Sequence, residues 1–352
     1  MCACPGFVER LVDIRNRVTI VDVADEAGVS KQTVSRVLNN RPDVAIETRQ
    51  RVREVIERLG YKPSAVARSL TRQRSFTLGI VTAGLKYIGP SQTLNGIADK
   101  AEELGYALLL IELPSFETKD IQPIIDSLIT RQVDGIIWAV QEAGENRAWV
   151  EDQVITLPVP IIFLTMAKRE NLSIVAVDNF SGAKMATQHL IERGCRKIGH
   201  VTGPMDWWES RQRKAGWEAA LKEAGCENSY TYWAEGNWSS RSGATAFETL
   251  LNKYPDMDGV FVANDQMAVS VLQIAHQRNL RIPQDLAVVG FDGIAEAAYF
   301  WPALTTVNQN HQELGRIAVK EIVSMIDSHR EEREIEPISI LLQPELIVRQ
   351  SS

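Results

Sequence analysis

From Phe76 to the C-terminus, short apolar runs alternate with amphipathic stretches of helical period, and the alternation restarts near residue 180. The strand candidates include Phe76–Val81, Ala107–Leu113, Gly135–Val140, Ile161–Thr165, Lys197–Thr202, Gly259–Ala263 and Leu286–Phe291. Helical patterns such as Ser91–Leu104, Gly182–Arg193 and Gln266–Arg278 lie between them. Uninterrupted apolar strands separated by helices point to a parallel sheet covered on both faces. The strands are too numerous for one comfortable sheet, and the restart near residue 180 splits them into two doubly wound subdomains. Ligands in such folds bind at the carboxyl ends of the strands, so the expected site is the cleft between the two sheets.

The N-terminal segment reads differently. Thr19 can cap a helix with Asp22 at its third position, a variant of the capping box. Ile20, Val23, Ala24 and Ala27 then share one helical face. Gly28-Val29-Ser30 breaks the pattern, and Ser30 caps a second helix whose Val34, Val37 and Leu38 point inward. A third helix carries Val52, Val55, Ile56 and Leu59 on one face, has Arg49, Arg51, Arg53 and Arg58 among its exposed positions, and stops at Gly60. Three short helices with a tight Gly-containing turn between the first two make a helix-turn-helix. Charge agrees: Met1–Arg74 carries 14 basic against 9 acidic side chains, and the rest of the chain 24 against 36. A basic head on an acidic body suits a polyanionic partner for the head alone.

No apolar run in the 352 residues approaches the ~18–20 needed to cross a bilayer. The first 17 residues lack the apolar core of a secretory signal. Four cysteines, scattered apart from Cys2 and Cys4, show no metal-ligand spacing, and a reducing cytoplasm is the expected compartment. Two ligands make no metal site, so Cys2 and Cys4 are not expected to hold one. There is no G-x-G-x-x-G after the first strand, no P-loop and no H-E-x-x-H, and the five histidines are not paired at metal spacing. Neither catalysis nor a cofactor is expected.

The run Val18-Thr-Ile-Val-Asp-Val-Ala-Asp-Glu-Ala-Gly-Val-Ser-Lys-Gln-Thr-Val-Ser-Arg-Val-Leu-Asn39 closely resembles the headpiece of lactose/galactose repressor (LacI/GalR) family regulators, and the resemblance extends over the chain after residue 17. It implies an all-α helix-turn-helix headpiece and hinge helix, joined to a periplasmic-binding-protein-like α/β effector domain of two parallel-sheet subdomains. The expected divisions are an N-terminal extension at 1–17, the DNA-binding domain at 18–62, the hinge and linker at 63–74, and the effector and dimerisation domain at 75–352. Chain crossovers between its subdomains are expected near 175–180 and 305–335. The extension lies outside the family pattern, which leaves either a disordered segment or a translation start at Val18.

By the resemblance, Lys31, Gln32 and Arg36 read bases. The chemistry agrees, since Arg and Lys pair with guanine acceptors and Gln can be bidentate to adenine. Thr19, Ser30, Thr33, Ser35, Asn39 and Thr48 look like the family's phosphate-contacting positions, which fix register rather than sequence. Capping is an equal reading for Ser30 and is compatible with a phosphate contact. Ala45 stands where the family often has an N-capping Ser. Pro63 and the following Ser64–Leu70 resemble the family's hinge helix. Ala67 matches its small close-approach residue, Arg68 can reach phosphate, and Leu70 matches the leucine that wedges into the central minor groove. Without that match, Leu70 reads as part of a linker packed on the core.

In the body, Arg213 matches the family arginine that binds effector hydroxyls, and Asn264 and Asp292 fall at strand carboxyl ends. Arg and carboxylate groups suit sugar hydroxyls, which both donate and accept. Arg213 and Asp292 could equally be a structural ion pair. Trp238 matches an aromatic platform of the sugar-responsive branch, with core packing as its other reading. Thr165 ends a strand where the lactose branch carries a carboxylate, His311 occupies a position often aromatic, and Gly293 replaces a frequent second acid. The expected effector is a small neutral sugar, a galactoside or glucoside, because the matched site lacks a basic cluster for phosphate. The alternatives are a regulator answering to a purine or phosphorylated metabolite, and a transport-type sugar-binding protein, which would not need the head. The expected partners are near-palindromic double-stranded operator DNA, the effector and a second copy of the chain. The chain ends shortly after its last strands with no heptad extension, so a dimer is expected rather than a tetramer.

Overall fold

The computed structural model describes residues 18–61, 74–150 and 157–352, and divides into two compact units between Ser75 and Phe76. The first unit holds α1 (Ile20–Ala27), α2 (Lys31–Leu38) and α3 (Ile46–Leu59). The Thr19 hydroxyl accepts from the Asp22 amide while the Asp22 carboxylate accepts from the Thr19 amide at 2.7 Å, a complete capping box. Gly28 ends α1 in the left-handed region at φ 63°, where a side chain is disfavoured. Ser30 then caps α2 by accepting from the Thr33 amide at 3.1 Å. Val23, Ala24, Ala27, Val34, Val37, Val52 and Val55 close around one small core. Ala45 leads into α3 with no side-chain cap, and Gly60 terminates it.

The second unit contains two six-stranded sheets. The first comprises β1 (Thr77–Ala83), β2 (Ala107–Leu113), β3 (Gly135–Ala139), β4 (Ile161–Leu164), β5 (Ile174–Val177) and β11 (Ser339–Leu342), in the order β11-β5-β4-β3-β1-β2 and parallel throughout. Helices α4 (Ile88–Glu103), α5 (Gln122–Thr130) and α10 (His311–Arg330) belong to this lobe, and separate buried clusters line the two sheet faces. The second sheet comprises β6 (Ile198–Thr202), β7 (Trp233–Glu235), β8 (Gly259–Val262), β9 (Ala287–Asp292), β10 (Thr305–Asn308) and β12 (Glu345–Ile347). Its order is β12-β10-β9-β8-β6-β7, with only β12 antiparallel. Its helices are α6 (Asn179–Glu192), α7 (Trp208–Glu223), α8 (Ser240–Lys253) and α9 (Asp265–Gln277).

The chain passes between lobes after β5, after β10 and again between β11 and β12. The alternation of apolar runs does not mark the third passage, because β11 and β12 are short, half-exposed edge strands separated by two residues. The lobes also meet through an isolated antiparallel bridge between Ala143 and Trp207, with the Trp208 amide donating to the Glu142 carbonyl at 3.0 Å. Among the described residues no helix is long and apolar enough to cross a membrane.

Candidate functional site

In the head, Lys31, Gln32 and Arg36 are all exposed on α2, opposite the buried Val34 and Val37. Arg36 lies 3.5 Å from Asp43, an exposed pair of little energetic consequence that a nucleic-acid contact could replace. Ser30, Thr33, Arg36 and Thr48 line a shallow groove between α2 and the start of α3. Ser30 and Thr33 hydroxyls lie 3.0 Å apart, and the Asn39 side-chain amide donates to the Ser35 carbonyl at 2.9 Å. Thr19, outside that groove, is exposed at the start of α1. The caps therefore also set the positions of hydroxyls on the head's surface. Ala67, Arg68 and Leu70 lie outside the described residues, as do Cys2 and Cys4.

In the body, a cavity of about 60 Å³ lies between the lobes and is lined by Arg213, Trp238, Asn264, Asp292 and His311. Five of the six effector positions expected from the sequence thus converge. Thr165 is not among the lining residues; it is buried just beyond β4 with its hydroxyl unpartnered among the described residues. The backbone explains the difference: Thr165 takes a left-handed φ of 53°, and its amide donates back to the Val175 carbonyl, turning the chain there into the sheet.

Arg213 projects from α7 and is held on several sides. Its Nε donates to Asn179 Oδ1 at 2.8 Å, Nη1 donates to the Ala263 carbonyl, and Nη1 lies 3.9 Å from Asp292 Oδ1. The guanidinium also sits 4.0 Å from the Phe291 ring centroid and 5.4 Å from that of Trp238. Asp292 ends β9 at φ 116°, an unfavourable backbone conformation for a non-glycine residue. The Gln309 amide donates to its Oδ1 at 2.7 Å. Asn264 is largely committed within the protein, accepting from the Met267 amide at 2.9 Å and donating to the Trp238 carbonyl at 3.0 Å. It therefore caps α9 and fixes the loop bearing Trp238.

The same cavity contains groups that sequence reasoning missed. Glu209, in the first turn of α7, is 7% exposed, and its Oε2 has no partner among the described residues. Gln141, after β3, likewise presents an unpartnered Oε1. Tyr87 and Phe116 come from the first lobe and Trp207 from the second. With Trp238 they form a chain of rings across the cleft, with centroids 6.2, 4.6 and 5.5 Å apart in turn. Only the tryptophan-rich start of α7 signals this in the sequence; Tyr87 and Phe116 are isolated aromatics in connections.

Burial controls the electrostatics. It pushes Glu209 up to about 7, opposed by Arg213 and Arg147 and assisted by Asp292. It pushes Asp292 up to about 6 against the pull of Arg213 and the Gln309 hydrogen bond. His311 is driven down to about 4 by burial and, secondarily, by Arg213, so near neutrality it is an uncharged imidazole. Burial also lowers Arg213, with Asp292, Glu209 and Asp265 acting to keep it charged. The cavity thus offers one guanidinium between carboxyls, neutral polar groups and aromatic walls, an arrangement for recognising a molecule that both donates and accepts hydrogen bonds. Among the described residues, no cluster of three or more His, Cys, Asp or Glu side chains could hold a metal ion.

Two family descriptions match the chain: bacterial regulatory proteins of the lacI family over residues 19–64, and the periplasmic binding protein-like domain over residues 187–352. Catabolite control protein A of Priestia megaterium is 34% identical over 305 residues, covering 86% of this chain and 91% of that protein. A transcriptional regulator CelR–cellobiose complex is 30% identical with TM-score 0.71, covering 96% of this chain and 100% of that one. The lac repressor dimer bound to operator and the anti-inducer ONPF is 28% identical with TM-score 0.84, covering 96% and 99%. The head, the two-lobed body and the relatives agree over nearly the whole length: the chain belongs to the lacI family of bacterial regulatory proteins.

Proposed function

We propose that this regulator represses carbohydrate-utilisation genes and that a small neutral sugar bound between its lobes controls its affinity for operator DNA. The observation that carries the sugar is Arg213 set between Asp292 and Glu209 beside Trp238. Sugar hydroxyls can donate to the carboxylates and accept from the guanidinium, while an indole face suits the C–H side of a pyranose. Two carboxyls beside Arg213, the one cation lining the cavity among the described residues, make it poor for a phosphate. The cellobiose complex of a similar regulator supports this reading.

On DNA, two copies of the chain place their α2 helices in successive major grooves of a near-palindrome. Lys31, Gln32 and Arg36 read bases; Thr19, Ser30, Thr33, Ser35, Asn39 and Thr48 hold phosphates. The hinge residues Ala67, Arg68 and Leu70 meet the minor groove between the half-sites. A seven-residue hinge helix is unstable alone, so its folding can be coupled to operator binding. The sugar acts by preferring the body conformation in which the two hinges are apart.

The chain of four aromatic rings favours one second reading, a planar purine stacked in the cleft. Thermal-shift titration with neutral mono- and disaccharides, sugar phosphates and purines separates the two. A ligand at 100 times its Kd adds about 2.7 kcal/mol of stability. A neutral sugar is expected to stabilise the protein and release operator DNA in a parallel binding assay. Stabilisation by purines or phosphates alone would remove the sugar reading and leave the DNA-binding head intact.

A further inference from the structure

The cavity around Arg213 is not the whole of the cleft. A second chamber of about 450 Å³ adjoins it, and Ile88, Asp292 and His311 belong to the walls of both. The inner cavity is small. At the ~10–15 Å³ of centre space one water needs, its volume of about 60 Å³ admits roughly four to six waters. That is about the bulk of one six-membered sugar ring, with nothing left for a second.

The outer chamber differs in size and chemistry. Part of its wall is the bare backbone of Gly293, at φ 71°, where a Cβ would lie 2.6 Å from Asn308 Cα, so no side chain can project there. Its polar lining includes Gln92 from α4, Asn308 at the end of β10 and Gln312 from α10. Gln312 Nε2 donates to Gln92 Oε1 at 3.0 Å, which leaves the Gln92 amide and the Gln312 carbonyl for another partner. At the boundary, both His311 ring nitrogens are buried without a hydrogen-bond partner among the described residues. A neutral imidazole presents one donor and one acceptor. Unpartnered buried polar atoms at the junction of two cavities give a ligand that reaches both a donor and an acceptor to bind.

From this arrangement we infer that the effector is a disaccharide, or a glycoside whose second part is also a hydroxylated ring. One ring occupies the inner cavity beside Trp238 and Arg213. The glycosidic junction passes His311 and Asp292, and the second ring lies in the outer chamber among Gln92, Asn308 and Gln312. This inference rests on the reading that the site binds a neutral sugar. The outer chamber mixes apolar walls at Ile88 and Ile294 with the amides of Gln92, Asn308 and Gln312, a lining that suits a ring with hydroxyls and C–H faces better than a wholly apolar aglycone.

The test compares disaccharides such as cellobiose, lactose and maltose with glucose and galactose by calorimetric titration of the full chain. At least one disaccharide is expected to bind about tenfold or more tightly than either of its monosaccharides. The variant Ala295→Trp puts an indole into the outer chamber from an exposed position that does not line the inner one. It is expected to abolish the disaccharide advantage while leaving monosaccharide affinity within about twofold. Monosaccharides binding as tightly as every disaccharide would overturn the inference and leave the sugar reading standing, and so would equal weakening of both classes by Ala295→Trp. Binding of purines or phosphates with no neutral sugar of either size would overturn both. The wild-type comparison decides the matter if the variant does not fold.

Discussion

Replacing Arg213 by Met would leave Asp292 and Glu209, both nine-tenths buried or close to it, without the guanidinium that lies between them. Removing one partner of a buried ion pair costs about 3–5 kcal/mol, since the remaining charge is uncompensated. Arg213→Met should therefore lower the melting temperature at pH 8, and ligand affinity should fall about 10–100-fold with the loss of charged hydrogen bonds. Calorimetry and titration of the variant check both. Glu209 gives a prediction of opposite sign. Its folded pKa of about 7 lies above an unfolded value near 4.5, so the folded state holds the extra proton. Stability from this group is present below about pH 4.5 and is lost as pH rises towards 7. Arg213, Arg147 and Asp292 are the charges acting on it. Glu209→Gln should accordingly raise the melting temperature by several degrees at pH 8 and change it little at pH 4.5; an equal effect at both values would contradict the burial argument. Asp292 was legible because a charged residue at a strand end is a local pattern, and Arg213, inside α7, through the family resemblance. Glu209 was not, because Trp-Glu-Ser-Arg-Gln-Arg-Lys reads as a solvated helix start until Gln141 and Trp207 are seen around it.

At the scale of elements, the crossing of α4 and α10 determines where His311 stands. A Cβ on Gly96 would meet the Gln312 carbonyl oxygen at 2.0 Å, and one on Gly315 would meet the Thr93 oxygen at 2.2 Å. The helices touch backbone to backbone, and His311 is the first residue of α10. Gly96→Ala must push α10 outward, which costs about 1–3 kcal/mol by overpacking and shifts the imidazole from the cleft. Both stability and ligand affinity should fall, whereas Gly105→Ala, at a site with open space around it, should spare the affinity. In the head, α3 starts at Ala45 without a side-chain cap. Ala45→Ser should add about 0.5–2 kcal/mol and slow amide exchange in α3 at Val52 and Val55. The caps at Thr19 and Ser30 and the long strands were readable because their signals are local. Ile174–Val177, Trp233–Glu235 and Thr305–Asn308 were not assigned as strands; each is defined by its pairing with neighbours distant in sequence, which local pattern does not show.

For the whole molecule, the proposed control of DNA by sugar is a coupling between two sites, and such coupling is reciprocal. If bound sugar weakens the operator complex by a given factor, operator DNA must weaken sugar binding by the same factor. Typical couplings of 1–3 kcal/mol correspond to about 5–150-fold. The chain's charge distribution helps to isolate this term: its acidic body offers DNA no general attraction, so the DNA contact falls to the basic head. Sugar affinity should therefore be measured on the free protein and on protein saturated with its operator, at one salt concentration because DNA affinity depends steeply on salt. The expected result is weaker sugar binding in the operator complex, by the factor found in the reverse titration. Unchanged sugar affinity would separate the cleft from control of DNA, and tighter binding would make the sugar a co-repressor. Substituting Arg36 by Ala should alter base preference on α2 at a cost of about 1–3 kcal/mol while leaving sugar affinity in the free protein unchanged, because Arg36 belongs to the other compact unit. That contrast distinguishes a residue that reads DNA from one that transmits the ligand's signal.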